Sequence, residues 1–203
     1  MLLKSISRGW RILATGFAFA AFFCGGALAA LSIFPVIGFF SRDVAIRNRR
    51  TRFAIHRIFR GYIVMLQALG ILKLDVTGSR TLTTIEGRLI VSNHPTLLDV
   101  VLLMSLIPRV QCIVKHQLWE SKYLGGVVRQ AGYIRNDLEP QQLLLACKAA
   151  IDAGTNLIVF PEGTRTKPNN PIQFHRGFAN IALMTGADVQ TVSIHCEPLF
   201  LTK

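Results

Sequence analysis

Leu89-Ile90-Val91-Ser92-Asn93-His94-Pro95-Thr96-Leu97-Leu98-Asp99 sets the fold class and offers a candidate site within eleven residues. The apolar run at its start reads as a strand that ends at Asn93-His94, because Pro95 biases His94 away from helical dihedrals. Leu97 to Leu106 then reads as an apolar helix with Thr96 as its N-cap. Inside one ideal helix, residues five apart are rotated by about 140°, so their side chains would not meet. With His94 just before the helix, Asp99 can reach back across the first turn to a ring nitrogen. A carboxylate there fixes the tautomer and leaves the other nitrogen as a base for a substrate hydroxyl. A second reading stands beside this one. Thr96-x-x-Asp99 is also a capping box, which needs no catalysis.

Charge is distributed unevenly along the 203 residues. Residues 12–41 carry no charged side chain, a run longer than the roughly 20 residues that cross a bilayer. Residues 1–70 hold ten Lys and Arg against the single acid Asp43, while residues 71–203 hold thirteen against ten. Basic residues that flank an apolar run point to anionic lipid headgroups; they do not suit a nucleic-acid surface, and no nucleic-acid partner is expected.

Two readings of this apolar segment are open. One helix can run from about Trp10 to Ile33 and stop at Pro35, or Gly25-Gly26 can divide it into a short hairpin. A cleaved signal peptide fits less well, because the run is long and a dense Arg cluster comes after it. Residues 1–41 are therefore read as a membrane anchor. Seven Arg from Arg42 to Arg60 place the C-terminal portion of the chain on the cytoplasmic face by the positive-inside bias, at the inner or plasma membrane if the source is bacterial. Residues 42–70 read as a basic amphipathic helix, with Ile55, Ile58, Phe59, Tyr62, Ile63, Leu66 and Leu69 at helical spacing.

From residue 71 the pattern alternates, with strands expected at 74–77, 88–92, 111–114, 157–160 and 189–194. Helices are expected at 97–106, 118–130, 139–153 and 177–185. Such alternation argues an α/β domain over 71–203, a mixed and largely parallel sheet flanked by helices. The four cysteines show no paired spacing, and His56, His116, His175 and His195 have no ligand spacing for a metal.

The buried-strand run Leu157-Ile158-Val159-Phe160 empties into Pro161-Glu162-Gly163-Thr164-Arg165. Ligands of open α/β sheets gather beyond strand C-termini, where this loop brings a carboxylate, a hydroxyl and a guanidinium. Gly163 permits a tight turn, and Arg165 offers a fork suited to phosphate or carboxylate. It is not a Walker loop, for the G-x-x-x-x-G-K-[ST] spacing is missing.

These two stretches carry a resemblance. Asn93-His94-Pro95-Thr96-Leu97-Leu98-Asp99 resembles the N-H-x-x-x-x-D box of the glycerolipid (lysophospholipid) acyltransferase family, and Phe160 to Arg165 resembles its F-P-E-G-T-R box. Gly132-Tyr133-Ile134-Arg135 is similar to the family's intervening G-x-I-x-R motif in shortened form, and Phe174-His175-Arg176-Gly177 to its F-K-x-G element. The likeness covers roughly residues 43–200. It implies acyl transfer from acyl-CoA or acyl-carrier protein, as co-substrate and with no cofactor, to a hydroxyl of a lysophospholipid such as 1-acylglycerol 3-phosphate. It implies His94 as base and Asp99 as its orienter. Glu162, Gly163, Thr164 and Arg165 would hold the acceptor, with Arg135 helping on phosphate, and backbone N–H groups near Thr96 would stabilise the oxyanion. Other acceptors (a polyene, a glycolipid or an aminolipid) and a non-catalytic membrane scaffold remain as alternatives. The family's V-P-V-type strand has no counterpart proline in Thr191-Val192-Ser193-Ile194. Relatives usually continue past the position of Lys203, so part of the domain is expected beyond it.

Overall fold

The computed structural model describes residues 2–166 and 173–197. It begins with a long apolar helix, α1 (Leu2–Leu31), followed by α2 (Ile33–Phe39) and α3 (Val44–Ala68). α1 continues through Gly25-Gly26 without a break. The interruption falls at Ser32, one turn before Pro35, and not at Pro35 itself. Pro35 lacks the N–H that would bond the Leu31 carbonyl, and its ring crowds that carbonyl, so the cost appears a turn upstream. Asp43 caps α3 by accepting the Ile46 N–H at 2.8 Å.

α1 lies back along α3. The Trp10 indole donates to the Leu69 carbonyl at 3.1 Å, the Tyr62 hydroxyl to that of Ala18, and Phe22 stacks on Phe59. α3 rests in turn on α5 (Asp99–Leu106) through Ile55 and through buried His56, whose Nδ1 meets the Met104 carbonyl at 2.9 Å. α4 (Ser79–Thr84), a helix with no signal in the apolar pattern, bridges to the sheet.

The sheet contains β1 (Leu89–Ser92), β2 (Val110–Val114), β3 (Ile134–Arg135), β4 (Asn156–Val159) and β5 (Val189–Val192), in the order β3-β2-β4-β1-β5. Every pairing among the described residues is parallel, so no mixed strand is present there. The strand expected at 74–77 is open chain, and β3 was not expected. Residues 74–77 have no neighbouring strand to complete their hydrogen bonds, whereas Ile134 and Arg135 find Ile113 and Val114. The helix expected over 118–130 divides into α6 (His116–Trp119) and α7 (Gly125–Gln130), separated by a turn at Ser121.

Alternate side chains of each strand enter different layers, as a period of two requires. Ile90, Cys112, Val114 and Ile158 pack with α3, α5 and α7. Leu89, Ile134, Leu157 and Val159 pack with α8 (Pro140–Asp152) and α9 (Gly177–Thr185). Asn156 ties the sheet's lower end. Fully buried, it donates to the Ile85 carbonyl at 2.8 Å and accepts the Arg88 N–H at 3.1 Å.

Candidate active site

β1 and β4 are neighbours, yet their chains leave for opposite faces, β1 through α5 and β4 through α9. Strands that part in this way open a crevice beyond their C-terminal ends. His94 follows β1 into that crevice, and Phe160 to Thr166 follow β4.

Asp99 Oδ2 lies 2.7 Å from His94 Nδ1 and also accepts the Thr96 N–H at 2.7 Å, while Oδ1 accepts the Thr96 hydroxyl at 2.6 Å. The regular helix starts at Asp99 itself, with residues 97 and 98 in a turn, later than the expected start at Leu97. Thr96 Oγ1 in turn accepts the Leu98 N–H at 3.2 Å. Of the backbone N–H groups near Thr96 expected to serve an oxyanion, those of Thr96 and Leu98 are already engaged within the turn. Asp99 is completely buried, whereas the His94 side chain is 16% exposed. The His94 ring is therefore open to solvent while the carboxylate hydrogen-bonded to it is not.

Phe160 stacks on the imidazole, with ring centroids 4.2 Å apart and 23° between planes. An aromatic face there limits ring rotation. Glu162 is buried and holds the two loops together. Its Oε1 accepts the His94 backbone N–H at 2.9 Å, and its Oε2 accepts the Thr166 hydroxyl at 2.7 Å. The Thr166 N–H completes the link to the His94 carbonyl at 2.8 Å. Gly163 has φ of +64°, a conformation that disfavours a side chain, and its N–H closes the turn on the Phe160 carbonyl. Thr164 and Arg165 sit half-buried on the same loop.

Of the expected site residues, His94, Asp99 and Glu162 share one hydrogen-bonded network, with Gly163, Thr164 and Arg165 on the loop that Glu162 anchors. Arg135 is elsewhere. It lies on β3, with β2 and β4 between it and β1, and its guanidinium makes a two-pronged contact with Asp137 at 2.9 and 2.6 Å. Arg135 holds the Asp137 carboxyl down at about 2. Lys115 is exposed at the end of β2, and Arg176 is exposed before α9.

Three contributors were not singled out as site residues from the sequence. Asn93 and Phe160 are the opening letters of the two quoted boxes, whereas Thr166 has only its position directly after the loop as a clue. Asn93 precedes the catalytic candidate and clamps the ends of β1 and β5, donating to the Ile194 carbonyl at 2.8 Å and accepting the Ile194 N–H at 2.7 Å. Among the described residues, no cluster of three or more His, Cys, Asp and Glu side chains forms a metal cage.

Known proteins similar to this chain are acyltransferases. A 1-acyl-sn-glycerol-3-phosphate acyltransferase of Helicobacter pylori is 40% identical over 86 residues, covering 40% of this chain and 36% of the relative. One from Cocos nucifera is 32% identical over 116 residues, covering 50% and 37%. These matches take in little more than a third of each relative's length. The crystal structure of the 1-acyl-sn-glycerophosphate (LPA) acyltransferase PlsC from Thermotoga maritima superposes with a TM-score of 0.70. It covers 88% of this chain and 71% of that one at 20% identity, a likeness of fold. The Acyltransferase family matches residues 73–195, a span that takes in the His94–Asp99 pair, the Glu162 loop and all five strands, and the chain belongs to that family.

Proposed function

We propose that this protein is a membrane-bound O-acyltransferase that moves a fatty acyl group from acyl-CoA or acyl-carrier protein to a hydroxyl of a lysophospholipid such as 1-acylglycerol 3-phosphate. The observation that carries this reading is the His94–Asp99 pair, set beside the Glu162 loop in a chain of the Acyltransferase family. Asp99 holds the Nδ1 proton, so Nε2 accepts the proton of the acceptor hydroxyl as its oxygen attacks the thioester carbonyl. General-base help of this kind is worth about 10²–10⁴-fold. The tetrahedral intermediate collapses, the C–S bond breaks, and the thiolate takes the proton back from Nε2. No covalent enzyme intermediate and no cofactor enters.

Glu162 acts on the acceptor through the loop it anchors, with Thr164 and Arg165 beside the headgroup and Arg165 on its phosphate. Arg135 contributes to phosphate binding only by loosening its contact with Asp137. The membrane reading is supported by the apolar helical stretch Arg8–Phe39, long enough to cross a bilayer, with mean hydropathy 2.1 and only 17% of its apolar window buried. Leu13, Phe23, Leu28 and Leu31 are exposed along it. The positive-inside bias puts the catalytic domain on the cytoplasmic side.

The test is acceptor-resolved kinetics of Arg165→Lys. The ammonium keeps the charge but not the planar fork. KM for a phosphate-bearing acceptor should rise, the donor's KM should hold, and an acceptor without phosphate should be little affected. Equal losses on both acceptors would remove Arg165 from the phosphate, and turnover by purified His94→Ala would overturn the mechanism.

A further inference from the structure

A groove of about 740 Å³ opens along the β3 edge of the sheet, between α3 and α8, and reaches to the end opposite His94. Gln111, near the start of β2, and Thr155, just before β4, line it, whereas the catalytic loops leave the other ends of the strands. β4 (Asn156–Val159), roughly 13 Å of extended chain, lies between Thr155 and the Glu162 loop. Of its lining residues the proposed mechanism uses only Arg135, which Asp137 holds.

Its walls differ in character. α3 contributes Arg49 and Arg52, one turn apart and on one face, while α8 contributes small alanines that leave the space open. Arg52 Nη1 donates to Gln111 Oε1 at 2.8 Å and to the Ala131 carbonyl at 3.1 Å, and Nη2 donates to Thr155 Oγ1 at 3.4 Å. All three acceptors are neutral. The Nε–H has no acceptor among the described residues, and no carboxylate pairs with this guanidinium, whose planar fork suits an oxyanion. Burial pulls the Arg52 pKa below the ordinary arginine value without discharging it. Arg49 makes no ion pair among the described residues. The other two arginines at the groove are already matched, Arg109 by Glu86 and Arg135 by Asp137. Two neighbouring like charges with no carboxylate repel, and a dianion between them relieves that repulsion.

We propose that this groove is a second anion site for a phosphate monoester, held by Arg52 and Arg49, with the alanine wall accommodating an alkyl tail. Its ligand is not the one that reacts at His94. The phosphate can come from a lipid or be free, and decyl phosphate and inorganic phosphate separate the two sources.

The full chain in neutral detergent carries a local reporter, because Trp119 lines the groove and Trp10 is the only other tryptophan. In Trp10→Phe protein, Trp119 fluorescence should change saturably with decyl phosphate, and with inorganic phosphate if the headgroup suffices, but not with decyl maltoside. Equilibrium dialysis of Arg165→Ala protein against the same radiolabelled anions should still show binding. Ala149→Phe, an exposed position on the groove wall, should abolish it. Arg52→Lys should weaken it about tenfold or more. Should Arg52→Lys fail to fold, Ala149→Phe decides alone. No anion retained by Arg165→Ala protein, retention unchanged by Ala149→Phe, or an equal response to decyl maltoside overturns the site.

Discussion

His94 Nδ1 and Asp99 Oδ2 lie 2.7 Å apart, and that same oxygen accepts the Thr96 N–H. One carboxylate therefore holds both the imidazole and the turn that leads into α5, whose N-cap is Leu98 without a side-chain cap and not the expected Thr96. Removing Asp99 has two consequences instead of one.

Asp99→Asn should lower both rate and stability. An amide in place of the carboxylate turns a donor toward the donors His94 Nδ1 and Thr96, and the lost charged hydrogen bonds cost about 1.5–3 kcal/mol. Thr96→Val removes the hydroxyl bond but keeps the N–H bond, so it should cost stability while retaining more activity. Denaturant midpoints paired with kcat for the two variants check this. Asp99→Asn at full kcat would leave the carboxylate holding the turn alone.

Glu162 should behave as a strut. Glu162→Ala removes the partner of the half-buried His94 N–H and Thr166 hydroxyl, at about 0.5–1.5 kcal/mol for each lost hydrogen bond. The loss should appear in kcat and stability together, and Thr166→Val should move both in the same direction. A Glu162→Ala enzyme altered only in acceptor KM would show direct contact with the headgroup.

Asn156→Leu should destabilise without touching the chemistry. It strands the Ile85 carbonyl and the Arg88 N–H at the lower end of the sheet, with an expected cost of about 1–3 kcal/mol per group. The midpoint of unfolding should fall while KM holds in the protein that remains folded.

Cys112 and Cys147 should resist alkylation in the native state. Burial pushes their thiols up to about 12 and about 11, so almost no thiolate exists at pH 8. Mass spectrometry after iodoacetamide treatment should find both unmodified until denaturant is added.

Asp137 gives a pH signature. Its folded pKa is depressed to about 2 by the Arg135 hydrogen bond, below the ordinary carboxylate value near 3.9. The stability from this pair is fully present above the unfolded value and is lost as pH falls through about 2. Asp137 also lies 3.2 Å from His116 Nδ1, so the midpoint gap between wild type and Asp137→Asn is read below pH 5, where it should close as pH falls through about 2. A gap that persists at the lowest pH would assign it to packing.

The sequence by itself determined the α/β class, four of the five strands and the pairing of His94 with Asp99. Those depend on short-range physics: β-branched runs, a proline after His94, and a separation of five residues across a turn. It also marked the apolar stretch of α1, because thirty consecutive residues without charge need no partner to be recognised. β3 was not legible, since two residues carry no periodicity and become a strand only by pairing with Ile113 and Val114. The strand expected at 74–77 failed for the converse reason, having local propensity and no neighbour. The position of Arg135 and the inward turn of Glu162 were likewise decided by tertiary structure. Asp137 and Thr166 compete for those groups, and which competitor lies within hydrogen-bond reach depends on strand order, a long-range property that no local stretch of sequence contains.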